Sequence, residues 1–312
     1  TLQPQKFKLF CEDYLNNPLM EGKYTQKSIP VFEIPIKDYE TDMEKESSKE
    51  KKNEILDLLK NHNQLKSESE FNEIKSRLHH ACQKGDLDHI KILLCETIKN
   101  STKDLTYKID KTTHTASLFK VDQNLENLTI PRTVKHEMKD YLVTSITGLG
   151  CSYEEFQSKI KIIKFEEDSS VSTIYRFALE YSNIEEIYFP KSLNELKEGW
   201  CYGIKNLTKI TISPSNGQFI FKDDKYLLGK VDRANDEFDI LLFARRDIEE
   251  ISIPSNVTKI CENAFLNCSN LRKVEIPTNS NLQVIKSYAF SYSKIEEISI
   301  PSNVTKICEN AF

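Results

Sequence analysis

Along the last two thirds of the chain the apolar residues recur at fixed intervals. Residues 248–265 read IEEISIPSNVTKICENAF, and residues 295–312 repeat the same 18 letters at an offset of 47. A diverged copy lies between them, from Leu271-Arg-Lys-Val-Glu-Ile-Pro277 to Ala289-Phe290, so the offset divides into repeats of 23 and 24. Upstream the same spacing carries Leu207-Thr-Lys-Ile-Thr-Ile212, Ile184-Glu-Glu-Ile-Tyr-Phe-Pro190 and Ile160 to Phe165, with an atypical first copy at Leu125-Glu-Asn-Leu-Thr-Ile-Pro131. A sustained period of this length is the signature of a solenoid.

Each unit reads L-x-x-I-x-I-P, then V-x-x-I-x-x-x-A-F, then a polar turn such as Asn267-Cys-Ser-Asn270. Ile251 and Ile253 stand two apart, which predicts one buried face of a short β-strand. Pro254 has no N–H for a ladder and stops the strand there. Val257, Ile260, Ala264 and Phe265 then bring the chain back over that face. One unit buries about six large apolar side chains, at about 1.5–3 kcal/mol each. Ordering its backbone costs about 1–2 kcal/mol per residue. A single coil therefore cannot stand, and stacking into a parallel sheet along one face is obligatory. Phe312 falls halfway through a coil, so the chain is expected either to continue in a longer parent or to fray there.

This pattern over 125–312 resembles the treponemal-type leucine-rich repeats of the BspA-like proteins. The stretch 213–247, with Phe219-Ile-Phe221, Tyr226-Leu-Leu228 and Phe238-Asp-Ile-Leu-Leu-Phe243, resembles the β-hairpin islands that interrupt such arrays. The resemblance implies a surface antigen or adhesin that binds host or matrix proteins.

If L-x-x-I-x-I forms the sheet, its x positions face solvent on the concave side, with neighbouring strands about 4.8 Å apart. Strand by strand these positions read Lys161-Ile162, Glu185-Glu186, Thr208-Lys209, Glu249-Glu250, Arg272-Lys273 and Glu296-Glu297. The signs alternate, and opposite charges on neighbouring strands attract. Two readings stand side by side: a solvated ladder that fixes strand neighbours, and a binding surface. The candidate partner-binding residues of the second are Lys164, Glu186, Tyr188, Lys209, Thr211, Glu250, Ser252, Lys273, Glu275, Glu297 and Ser299.

The N-terminal third follows another rule. From Glu54 to Asn100 apolar residues keep helical spacing, as in Ile55, Leu58, Leu59, then Phe71, Ile74, Leu78, then Ile90, Leu93, Leu94. Within it, Leu78-His-His-Ala-Cys-Gln-Lys-Gly85 to Leu94 resembles a single ankyrin helix pair, with Gly85 as its left-handed turn. Tyr107-Lys-Ile109 and Leu118-Phe-Lys-Val121 read as two cap strands around a polar turn. Residues 37–52 are polar and charged, a linker or the start of a solvated helix. The predicted class is α+β: an ill-defined segment and linker at 1–53, a helical ankyrin-like segment at 54–104, and a leucine-rich-repeat solenoid at 105–312. The solenoid has cap strands at 105–122, an insert at 213–247 and a parallel sheet on its concave face.

Composition narrows the function. The 43 Lys and Arg against 48 Asp and Glu give a formal charge of −5 on a mixed surface, which argues against a nucleic-acid binder. No run approaches the roughly 18 apolar residues that span a bilayer, and the N-terminus has no secretory apolar core. His79, His80 and His89 share the helical segment with Cys82 and Cys95, but not at zinc-ligand spacing; His79, at an ankyrin structural position, is expected to bond backbone. Cys201, Cys261 and Cys308 occupy inner coil positions, Cys268 lies in a turn, and Cys11 and Cys151 have no evident partner, so reduced thiols are expected. No G-x-S-x-G, Walker loop, H-E-x-x-H or G-x-G-x-x-G occurs. The expectation is a non-enzymatic protein that binds other proteins, with no cofactor, no metal, no nucleic acid and no membrane insertion within this segment. Asn100, Asn127, Asn206, Asn256, Asn267 and Asn303 each head N-x-S/T. The resemblance points to the cell surface; the missing signal and unpaired cysteines point to the cytoplasm. An intracellular scaffold, holding partners on the helices and the solenoid, is the alternative function.

Overall fold

The computed structural model describes residues 32–33, 49–61, 64–65, 68–100, 105–122, 124–149 and 158–312. Cys11, Cys151 and most of the segment 1–53 lie outside the described residues. Helices α1 (Lys49–Asn61), α2 (Glu68–Lys84) and α3 (Leu87–Leu94) come first. Their apolar stripes close a small core of Ile55, Leu59, Phe71, Ile74, Leu78, Ile90 and Leu93, completed by Phe119 from the cap. Gly85, at φ +64°, ends α2. Its N–H reaches the Cys82 carbonyl (3.1 Å) and the Asp86 N–H the Ala81 carbonyl (2.9 Å), the paired closure of a Schellman turn. Asp86 then caps α3 by accepting from the His89 N–H at 3.2 Å.

Helix α1 starts inside the charged stretch, at Lys49, so of the two readings of 37–52 its end is the start of a helix. One boundary differs from the sequence reading. Helical structure ends at Leu94, and Glu96–Asn100 is a strand paired antiparallel with Leu105–Asp110. The β-branched Thr97 and Ile98 suit a strand, and pairing to a neighbour overrides the helical spacing. The cap thus has three antiparallel strands, Glu96–Asn100, Leu105–Asp110 and Thr115–Val121, and the last runs parallel to Lys139–Ile146 of the first coil.

Each coil contributes one strand to each of two faces. On the first face lie Asn127–Ile130, Ile162–Phe165, Glu186–Phe189 and Lys209–Ile212, all parallel, followed in a separate sheet by Glu250–Ser252, Lys273–Glu275 and Glu297–Ile298. On the opposite face Lys139–Ile146, Thr173–Ile174 and Glu195–Leu196 continue the cap sheet, while Lys259–Ile260, Val284–Ile285 and Lys306–Ile307 belong to another.

The insert makes both breaks. Phe219–Lys222, Tyr226–Gly229 and Ile240–Ala244 form an antiparallel plate, and its last strand runs parallel to Lys259–Ile260. Phe219, Leu227, Leu242 and Phe243 join the upstream core, whereas Tyr226, Leu228, Leu241 and Ala244 join the downstream core. The island is therefore a layer between two half-solenoids, with apolar side chains on both sides, and not a loop hung on the outside. Beyond it Phe265, Phe290 and Phe312 stack one above another, with ring centroids 4.7 and 5.2 Å apart and planes within 10°.

Candidate functional site

Alternation along each strand of the first face sorts the side chains. In Glu186–Phe189, Ile187 and Phe189 are buried while Glu186 and Tyr188 are half-buried on the outer side. Lys164, Lys209, Thr211, Glu250, Ser252, Lys273, Glu275, Glu297 and Ser299 are all exposed. Register sets neighbours: Glu186 stands opposite Lys209 and Tyr188 opposite Thr211. Ser252 stands opposite Glu275, and Lys273 opposite both Glu250 and Glu297. The eleven candidates thus fall into two patches, one on each side of the island.

The charge ladder is real in the first patch and broken in the second. Lys161 reaches Glu185 at 3.6 Å and Lys209 reaches Glu186 at 3.0 Å, both across strands. Lys209 and Glu250 belong to different sheets, so the third sign change along the sequence is not a contact. Lys273 turns along its own strand to Glu275, at 2.6 Å, although it has glutamates on both neighbours. Residues i and i+2 share a strand face, and Glu275 there competes with the cross-strand partners. Asn127 and Thr129, on the outer side of the first coil, extend the first patch; Thr129 lies opposite Lys164. Their signal was the outer spacing of the atypical copy at Leu125.

Long-range polar contacts fasten the two halves at the turn edge, and no motif announces them. The Arg176 guanidinium grips Glu262 through two bonds, of 2.8 and 2.5 Å, across 86 residues, with both side chains largely buried. Arg246 is buried on the far side of Phe243 and donates to the carbonyls of Ile204 (3.3 Å), Asn263 (3.2 Å) and Ala264 (2.7 Å). Around it lie Cys201 and Cys268. Burial pushes the Cys201 thiol up to about 11 and the Cys261 thiol up to about 12, which makes them packing groups and not nucleophiles. Cys268, read as a turn residue, is likewise buried.

The sequons separate by role. Asn256 and Asn303 use their amides to bond one coil back, to the carbonyls of Phe238 (2.9 Å) and Ser280 (2.8 Å). That contact is a physical reason for the Asn in the repeated P-S-N-V. Asn127 and Asn206 are exposed.

The helix pair packs on the turn edge of the upstream coils. His80 meets Phe177 edge-on with centroids 4.9 Å apart, and His89 lies 4.6 Å from Tyr175. His80 bonds the Ser76 carbonyl through its Nδ1 at 2.8 Å. Burial drives the His89 ring down to about 3, helped by the charges of Arg77 and Lys197. Burial also raises Glu180 to about 7, against the opposing pull of Arg77. Among the described residues, no three metal-ligating side chains gather and no helix is long and apolar enough to cross a membrane.

The BspA-type leucine-rich-repeat family model matches six copies over residues 151–227 and 237–312. The chain belongs to the BspA-type leucine-rich-repeat family. Its break at 228–236 falls in the island. Solved structures that the chain matches include the pneumococcal vaccine antigen PcpA, at 15% identity over 68% of this chain and 78% of that one, with a TM-score of 0.35. A leucine-rich repeat protein of Eubacterium ventriosum is 15% identical over 70% of this chain and 94% of that one, with a TM-score of 0.35. A third, from Bacteroides ovatus, is 16% identical over 66% of this chain and 60% of that one, at 0.34. Among curated proteins no sequence matches significantly. As a BspA-type repeat protein, the chain is built for protein interaction.

Proposed function

We propose that this chain is a non-enzymatic surface antigen or adhesin that holds a host or matrix protein on its exposed parallel sheet. The observation that carries this reading is the register of the first face, which lines up outward residues of seven strands as preformed patches. In the first patch Lys164, Glu186, Tyr188, Lys209 and Thr211 lie together, and Tyr188 supplies an aromatic anchor among charges that steer the approach. In the second, Glu250, Ser252, Lys273, Glu275, Glu297 and Ser299 offer a more acidic surface. Binding proceeds by complementarity to a stiff surface, without a catalytic centre. The working division of the chain is an N-terminal segment, a helical unit at 49–94 and the solenoid with its cap strands from 96 to 312.

The scaffold reading has one observation in its favour: the helix pair, packed on the turn edge, leaves the sheet open, so two surfaces are available to two partners. Protease shaving of intact source cells separates the readings. Release of peptides from 248–312, well above a cytosolic control, is expected for the surface protein. Recovery of those peptides only after lysis overturns it and leaves the scaffold.

A further inference from the structure

Six asparagines head N-x-S/T, the acceptor pattern for N-linked sugar, and the fold sorts them. In Asn256-Val-Thr258 the Asn amide donates to the Phe238 carbonyl (2.9 Å) and the Thr hydroxyl to the Asp239 carbonyl (3.1 Å). Asn303-Val-Thr305, two coils on, repeats both contacts, to the carbonyls of Ser280 (2.8 Å) and Gln283 (3.4 Å). In both copies the nitrogen that would carry a sugar is held against the preceding coil. Asn267 is half-buried at φ +64°, next to the fully buried Cys268. Asn100 ends a cap strand, and 101–104 lie outside the described residues.

Asn127 and Asn206 are placed differently. Asn127 and Thr129 stand two apart on the outer side of their strand, both exposed, with Leu128 buried between them. Asn206 is exposed just ahead of the strand Lys209–Ile212, with Leu207 buried beside it. Among the described residues no side-chain hydrogen bond holds either amide. We propose that Asn127 and Asn206 carry N-linked glycans in the native protein, and that Asn256 and Asn303 stay bare.

The proposal rests on the surface reading, because transfer requires passage through a compartment that supplies an oligosaccharide linked to a lipid diphosphate. In that transfer the Asn Nδ2 forms a bond to the anomeric carbon of the sugar, and the bond from that carbon to the phosphate oxygen breaks. The lipid diphosphate leaves with the electron pair, and Nδ2 gives up one proton. The folded protein keeps a sugar only where the amide is free of the coils.

Placement gives the glycans a task. Asn127 lies opposite Ile162 and beside Thr129, which faces Lys164, while Asn206 leads into the strand of Lys209 and Thr211. The two sugars thus bound the first patch at its first strand and at its last, with Glu186 and Tyr188 between them. The strands of the second patch hold no sequon asparagine. A partner therefore meets the first patch between two sugars and the second on bare protein.

The test uses the native protein from source cells. Its peptides are treated in heavy-oxygen water with an amidase that removes N-glycans, which turns each glycosylated Asn into a labelled Asp; a portion without enzyme corrects for spontaneous deamidation. Label on most of the peptide carrying Asn127 and most of that carrying Asn206, with none at Asn256 or Asn303, is expected. Label at Asn256 or Asn303 overturns the sorting. Protein released by shaving of intact cells yet bare at Asn127 and Asn206 overturns the proposal and leaves the surface reading standing. Protein that is bare and recovered only after lysis removes both.

Discussion

Two stretches of this molecule have the same 18 letters and different surroundings. In Ile248–Phe265, the side chains of Ile253, Val257, Ile260 and Phe265 are fully buried between the island and the next coil. In Ile295–Phe312, Ile300, Ile307 and Phe312 are 38%, 49% and 53% exposed, with a described coil on one side only. Propensity, strand spacing and the proline stop are identical, so neighbours alone account for the difference. Burial in such an array belongs to the stack, and so does the shape of the sheet it presents.

Matched substitutions in the two copies break or sharpen this comparison. In a chain cut at Phe312, Phe265→Ala should cost about 3–5 kcal/mol in urea unfolding, and Phe312→Ala about 1 kcal/mol or less, since Phe312 there stacks on Phe290 from one side. Equal losses would remove the neighbour explanation. The glutamate of E-N-A-F gives the second contrast. Glu262→Gln leaves the Arg176 guanidinium buried without its counterion and should cost about 3 kcal/mol. Glu309→Gln, at the exposed equivalent, should change stability by less than about 0.5 kcal/mol.

A third contrast sets the edge covered by helices against the bare one. His89 has a folded value of about 3 against 6.5, so its contribution falls as pH drops below 6.5. Glu180 has a folded value of about 7 against 4.5, so its contribution falls as pH rises from 4.5 to 7. His80 shifts in the same direction as His89, and Asp86 in the same direction as Glu180, each chiefly through burial. Between pH 4.5 and 6.5 the two slopes oppose each other, and the protein as it stands should show a flat profile. Glu180→Gln removes one side, and stability should then fall by about 1 kcal/mol per pH unit on acidification through that window. The smallest effect is on the sheet. Glu186→Gln should lose about 0.2–1 kcal/mol at low salt and almost nothing at high salt, because its partner Lys209 is exposed.

The coil was legible because its apolar letters recur and proline marks the strand end. The first-face strands follow the x positions, as Ile187 inside and Tyr188 outside demonstrate. Short letters could not show what lies between distant parts. The Arg176–Glu262 pair joins residues 86 apart, and Arg246 looks like any arginine until its carbonyl partners are seen. The island read as a hairpin, but its two-sided burial depends on coils that sandwich it. The charge ladder failed where the first face divides into two sheets, between Lys209 and Glu250. Glu96–Asn100 was misread as helix because its pairing with Leu105–Asp110 outweighs local spacing.

That the exposed sheet is the working surface is tested most directly by photo-crosslinking in source cells. A crosslinker replaces Tyr188 or Ser252 on the first face, and Lys306, exposed on the opposite face, in a control. The account predicts one and the same protein adduct from positions 188 and 252 and none from 306. Adducts from 306 with none from either sheet position would contradict it.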